Sequence, residues 1–114
     1  MALSEIQRAD VTRRLNAFCE ARAPAEVRNK VRLGFRITGA DVVLFEQRPG
    51  FQRPDEWHEG VIAKFRYVGT QKVWRLYCQH RDMRWHSYEA LPAARSFSKL
   101  LDEVAVDPTG IFWG

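Results

Sequence analysis

The sequence contains no long hydrophobic run and few cysteines. No stretch approaches the roughly 20 consecutive apolar residues that a membrane-spanning helix needs, and we interpret the first ten residues as a helix start, not a signal peptide. We therefore expect a cytoplasmic protein without a membrane partner. The only cysteines, Cys19 and Cys78, lie far apart in the chain. Both are expected to be small buried side chains with free thiols, because this cysteine usage is typical of a reducing compartment.

Neither sign of charge dominates the composition. The 18 Lys and Arg residues exceed the 14 Asp and Glu residues by four, a mild surplus that does not by itself identify a partner. Hydrophobic residues make up 46% of the chain, which is enough to build a core and argues against intrinsic disorder. At 114 residues, the chain is predicted to form a single domain over residues 1–114.

Catalytic and metal-binding motifs are missing as well. The segment Cys78–His86 has a C-x-H-x5-H string, but zinc sites usually show ligands paired at closer spacing. A hydrolase would have to use Glu46, His58 and Glu59, and no nucleophile is paired with a base among them. Glycine-rich phosphate loops are absent too. The sequence therefore predicts no catalytic, metal or cofactor site, and a protein that is not an enzyme.

Two segments have helical periodicity. The first runs from Ser4 to about Arg22, where Ser4 and Gln7 match a capping box and Pro24 ends the helix. The second is the cleanest amphipathic pattern in the chain. Its apolar residues are Phe97, Leu100, Leu101 and Val104. The final segment, 111–114, is apolar and is expected to dock on the core.

Between these helices the chain alternates between apolar and polar residues, which indicates half-buried strands. The predicted strands are Val31–Thr38, Val42–Arg48, Val61–Val68, Lys72–Gln79 and Arg84–Glu89, with a loop at Phe51–Gly60. Short turns between consecutive strands require antiparallel pairing. The predicted fold is therefore α+β: an antiparallel meander of about five strands, with the N-terminal and C-terminal helices packed on one face.

Strand alternation assigns residues to the face that the helices leave open. Every charged residue assigned to this face is basic, and the acidic residues are expected in loops and helices. The assigned binding residues are Arg32, Arg36, Lys64, Arg66, Arg75, Tyr77 and Tyr88. On the fourth strand Trp74 alternates with these positions and is expected in the core.

This open face has more than one physical interpretation. Basic side chains among exposed rings suit a single-stranded nucleic acid, since the cations contact phosphates and the rings stack on bases. Long side chains and tyrosines are equally typical of a solvated sheet face. The best functional hypothesis is a non-catalytic nucleic-acid-binding accessory module. The alternative is a protein-interaction or self-assembly module that uses this face or the sheet edge.

Several short motifs give the chain a family resemblance. They are E-Q-R-P (46–49), Trp57, K-F-R-Y (64–67), W-R-L-Y (74–77), W-H-S-Y (85–88) and the ending D-P-T-G-I-F-W-G (107–114). Together they resemble a family of small bacterial proteins, of the DUF3024 type, that is classed as a domain of unknown function. The resemblance runs from Val27 to Gly114. It implies a small bacterial protein, and the family supplies no activity, cofactor or catalytic residue.

Overall fold

A computed structural model describes residues 2–114, which form two helices and one antiparallel sheet. The helices are α1 (Glu5–Arg22) and α2 (Phe97–Val106), with one 3-10 turn at Ala25–Val27. The strands are β1 (Arg32–Thr38), β2 (Asp41–Pro49), β3 (Trp57–Val68), β4 (Val73–Gln79), β5 (Trp85–Ser87) and β6 (Ala93–Ala94). Strands β1 to β5 follow one another in space, and β6 pairs with β4. The predicted α+β meander is confirmed.

Helix α1 begins with the predicted capping box. The Ser4 hydroxyl accepts a hydrogen bond from the Gln7 amide, and the Gln7 side chain accepts one from the Ser4 amide, so two N-terminal donors are satisfied. Val11 and Leu15 are the buried residues of this helix. Within residues 2–114, neither helix has the length and hydropathy that crossing a bilayer requires.

Helix α2 buries the four apolar residues that its periodicity indicated. It ends at Asp107, whose backbone is left-handed (φ 50°). The Asp107 carboxylate accepts hydrogen bonds from the amides of Phe112 and Trp113, at 3.2 and 2.8 Å. Phe112 is buried, and the Trp113 indole donates to the Val104 carbonyl. The C-terminal segment therefore docks on the core as expected.

The core lies between the helices and one face of the sheet. Residues of α1, of α2 and of the central strands belong to a single buried cluster, which places both helices on the same face as predicted. Phe65 on β3 is fully buried, and its ring centroid is 4.8 Å from that of Phe97 on α2. Trp74 on β4 is buried against the same Phe97 ring, which confirms its predicted core position.

Strand β3 is longer than its alternation predicted, and it contains a bulge. It begins at Trp57, although 51–60 was predicted to be a loop. Leu44 of β2 pairs with Ala63, and the next residue, Phe45, pairs with Val61, so Ile62 is the extra residue. Because of the bulge, the residues that precede Ile62 in β3 point to the opposite face of the sheet from the one that uninterrupted alternation would give them.

The far edge of the sheet is interrupted, which corrects the prediction for Tyr88. The fifth strand was predicted over 84–89, but β5 ends at Ser87 and pairing with β4 resumes at β6. Leu76 of β4 spans this interruption, accepting a bond from the Tyr88 amide and donating one to the Pro92 carbonyl. Tyr88 was predicted to lie on the open face, but it is only 3% exposed and belongs to the core. The break in the strand turns its side chain inward.

Candidate nucleic-acid interface

The sheet surface opposite the two helices is called the open face here. Strand register places a mixture of basic, acidic and aromatic side chains on it. The charged and aromatic residues of the open face are Arg32, Arg36, Asp41, Phe45, Trp57, Glu59, Lys64, Arg66, Arg75, Tyr77 and Trp85. Six of the seven residues predicted for the binding face are therefore here, all except Tyr88.

Lys64 lies between two aromatic rings. Its ammonium nitrogen is 5.2 Å from the centroid of Tyr77 and 5.4 Å from that of Trp85, within the range of cation–π attraction. Partial burial and the neighbouring Arg66 lower the pKa of Lys64, while Asp41 opposes that shift. No carboxylate within residues 2–114 forms an ion pair with this ammonium group.

Arg66 and Arg75 occupy facing positions on β3 and β4, and Asp41 faces Arg66 from β2. The Arg66 guanidinium donates to both Asp41 oxygens, at 2.6 and 3.1 Å, and this holds the pKa of the Asp41 carboxyl below its usual range. Arg75 donates to the Gln71 amide oxygen at 2.9 Å. Of these three neighbouring cations, counting Lys64, only Arg66 is therefore paired with a carboxylate.

A second cation–aromatic group lies toward the other end of β1 and β2. The Arg36 guanidinium lies 4.3 Å from the centroid of Phe45 and donates to Glu59. Arg32 lies 3.8 Å from the Trp57 centroid and donates to the Arg28 carbonyl. Both guanidinium groups lie against an aromatic ring, an arrangement that holds the charge in place on an exposed surface.

The prediction that every charged residue on this face is basic is wrong. Asp41 was assigned to a turn, but it is the first residue of β2. Glu59 was assigned to a loop, but β3 includes it and the bulge turns it toward the open face. Each carboxylate pairs with one arginine, Asp41 with Arg66 and Glu59 with Arg36. The face keeps a positive balance, with its uncompensated cations at Arg32, Lys64 and Arg75.

Three aromatic residues of this face were not among the predicted binding residues. Phe45 alternates with the buried Leu44, which is a signal that the sequence does carry. Trp57 comes to the face only because the bulge shifts the register. Trp85 faces Gln79 of β4, and that pairing depends on the turn between the two strands.

The polar residues considered for a hydrolase or a metal site are separated from one another or already paired with other side chains. Glu46 interacts with Arg48 at 3.3 Å, and His58 is exposed. The His80 and His86 rings stack face to face, with centroids 3.9 Å apart, and His86 contacts Asp82 at 2.8 Å. In the part of the chain that the structure describes, no group of three or more His, Cys, Asp or Glu side chains is arranged to hold a metal ion.

Of the comparisons with known proteins, only the one with protein families gives a match. The family model described as "Domain of unknown function (DUF3024)" matches residues 3–114. No curated protein and no solved structure matches the chain.

Proposed function

We propose that this chain, which belongs to the DUF3024 family of unknown function, binds single-stranded nucleic acid on its open face. The observation that carries the proposal is the group formed by Lys64, Arg66 and Arg75. Among these three cations only Arg66 is paired with a carboxylate, that of Asp41. Lys64 lies over the rings of Tyr77 and Trp85, and Arg66 lies over that of Tyr77. The role proposed is binding without catalysis, in the cytoplasm.

The spacing of these cations suits a phosphate backbone. Residues two apart on a strand are separated by about 6.6 Å, close to the distance between successive phosphates of an extended strand. Lys64 and Arg66 have this separation on β3, and Arg75 is on the neighbouring strand. The burial and like charge that lower the pKa of Lys64 also make an added anion favourable there.

The rings provide the second part of the interaction. Tyr77 and Trp85 are half-buried, so each keeps a surface at which an unpaired base could stack. Such stacking contributes about 1 to 3 kcal/mol per base and tolerates any sequence. Binding with little sequence preference is therefore expected.

Fluorescence anisotropy with a labelled oligothymidylate at several salt concentrations tests the proposal. Wild-type protein should bind, and the logarithm of its association constant should fall linearly with the logarithm of salt concentration. Lys64→Gln combined with Arg75→Gln should weaken binding and reduce that slope by about 1.4, since each single-strand phosphate contact contributes about 0.7.

The matched control is Arg8→Gln, which removes an exposed cation from α1 on the other side of the molecule. This variant should keep the wild-type affinity. Absence of binding at low salt would overturn the proposal, and so would equal weakening by the control and the double variant.

A protein-interaction role is the second candidate, and the observation that favours it is the unpaired edge of β1.

A further inference from the structure

The two edges of the sheet differ in whether another strand can pair with them. The edge beyond β4 is formed by the short strands β5 and β6 with a break between them. Short or interrupted edge strands disfavour pairing with another chain. Strand β1, at the opposite edge, runs without a break from Arg32 to Thr38 and pairs only with β2.

The backbone groups of β1 that point outward follow from its hairpin. Residues 39 and 40 form a two-residue turn, so Thr38 and Asp41 are the hydrogen-bonded pair that closes it. Hydrogen-bonded and non-hydrogen-bonded pairs alternate along an antiparallel ladder. The amides and carbonyls of Leu33, Phe35 and Ile37 therefore point away from β2. Within residues 2–114, no loop or helix backbone group bonds to them.

The side chains of these three residues are also incompletely covered. Leu33, Phe35 and Ile37 are half-buried and pack against the core, whereas Val42 and Leu44 of the adjacent β2 are fully buried. A strand added at this edge would thus satisfy backbone groups and cover apolar surface together.

A second copy of β1 satisfies these groups in one particular register. When Phe35 faces Phe35 of the second copy, Leu33 faces Ile37, and each facing pair exchanges two backbone hydrogen bonds. All residues of the strand overlap in this register. Arg36 then faces Gly34 of the second copy, and Arg32 faces Thr38.

Charge selects this register over its neighbours. A shift of two residues in one direction places Arg32 opposite Arg36 of the second copy, and a shift in the other direction places Arg36 opposite Arg36. Like charges directly opposite each other destabilise a strand pair. The symmetric register avoids both clashes and keeps the longest overlap.

We propose that the protein forms a two-fold symmetric dimer by antiparallel pairing of β1 with β1 of a second copy, with Phe35 opposite Phe35. The sheet continues from one copy into the other. Facing residues of an antiparallel pair lie on the same side of the sheet, so the two open faces lie side by side and both helix layers lie behind them.

Oxidative cross-linking tests both the dimer and its register. Arg32→Cys combined with Thr38→Cys places thiols at facing, non-hydrogen-bonded positions of two copies, where Cα atoms lie about 4.5 Å apart, a separation that permits a disulfide. Both positions are exposed. Within one chain they are about 20 Å apart along the strand, too far for an internal bridge. A cross-linked dimer should form under mild oxidation.

The controls use the same strand. Thr38→Cys alone, which keeps Arg32 and Arg36, should not cross-link, because Thr38 faces Arg32 of the second copy in this register. Wild-type protein, which keeps Cys19 and Cys78, should not cross-link either. Light scattering of wild-type protein should show a mass that rises toward the dimer with concentration. A monomer throughout would overturn the proposal, as would cross-linking of Thr38→Cys alone to the same extent as the double variant.

Discussion

The Tyr88 hydroxyl donates a 2.7 Å hydrogen bond to Oε2 of Glu103 and so joins the interrupted edge of the sheet to α2. The Tyr88 ring also packs against Phe112, with centroids 4.9 Å apart. One side chain therefore links the far sheet edge, the last helix and the C-terminal segment. Burial, together with the nearby Glu103 carboxylate, raises the pKa of Tyr88.

Tyr88→Phe is expected to lower the free energy of unfolding by about 1.5 to 3 kcal/mol at neutral pH, because it removes one hydrogen bond to a charged acceptor and keeps the ring. The raised pKa adds a pH dependence. The stabilisation linked to the protonated Tyr88 hydroxyl is complete below the unfolded-state pKa of about 10 and is lost as the pH rises through the folded-state pKa. Urea unfolding from pH 8 to 11 should show a steeper loss in wild type than in Tyr88→Phe. Parallel curves would contradict this.

The pair of Asp41 and Arg66 predicts the opposite pH dependence. Arg66 lowers the pKa of Asp41, so this contribution is complete above the unfolded-state value of about 3.9 and is lost as the pH falls through the folded-state pKa. Both side chains are partly exposed, which limits the pair to at most about 1 kcal/mol. Asp41→Asn should therefore reduce the acid dependence of stability, measured by denaturant unfolding between pH 5 and 2.5. An unchanged profile would count against the pair.

The same substitution should tighten nucleic-acid binding. Asp41→Asn releases Arg66 from its carboxylate and removes a negative charge from the open face. The expected gain in oligothymidylate affinity is several-fold at low salt and smaller at high salt, since it is electrostatic. Asp10→Asn, which removes a carboxylate paired with arginines on α1, is the matched control and should leave the affinity unchanged. Equal or weaker binding by Asp41→Asn would argue against Arg66 as a phosphate contact.

The sequence could predict those features of the fold that depend on local periodicity. The capping box at Ser4, the buried stripe of α2 and the succession of antiparallel strands are all encoded within a few neighbouring residues. Alternation also placed Lys64 and Arg66 correctly, because both follow the bulge in β3.

The rest depends on pairing between distant residues. The sequence of β3 alone does not reveal the bulge at Ile62. The bulge is defined by pairing with β2, where the consecutive residues Leu44 and Phe45 face residues of β3 that are two apart. Without it, Glu59 could not be placed on the open face. Tyr88 likewise continues the alternation of β5 in the sequence, but its side chain turns inward to a partner on α2. Both errors concern register, which a single strand does not determine.

Asp107 is expected to hold the C-terminal segment in place through its carboxylate. Asp107→Gly keeps the left-handed backbone accessible and removes the acceptors for the amides of Phe112 and Trp113. Hydrogen exchange of these two amides should therefore accelerate, while the amides of β3 keep their protection. Asp107→Asn retains one acceptor oxygen and should give an intermediate rate. Unchanged exchange in Asp107→Gly would show that packing of Phe112 alone fixes the segment.

The two thiols should be unreactive in the folded protein. Burial raises the pKa of the Cys19 thiol to about 11, and it also raises the pKa of Cys78, which is only 3% exposed. Since the thiolate is the reactive form, reaction of Cys19 with a disulfide reagent at pH 8 should be on the order of 100-fold slower than in denaturant, and that of Cys78 should also be slowed. The rate for Cys19 should rise as the pH approaches 11. Cys78 is buried as expected, whereas Cys19 is only partly buried. Cys19→Ala assigns the remaining signal to Cys78, and rapid reaction of either thiol in native buffer at pH 8 would contradict its protection.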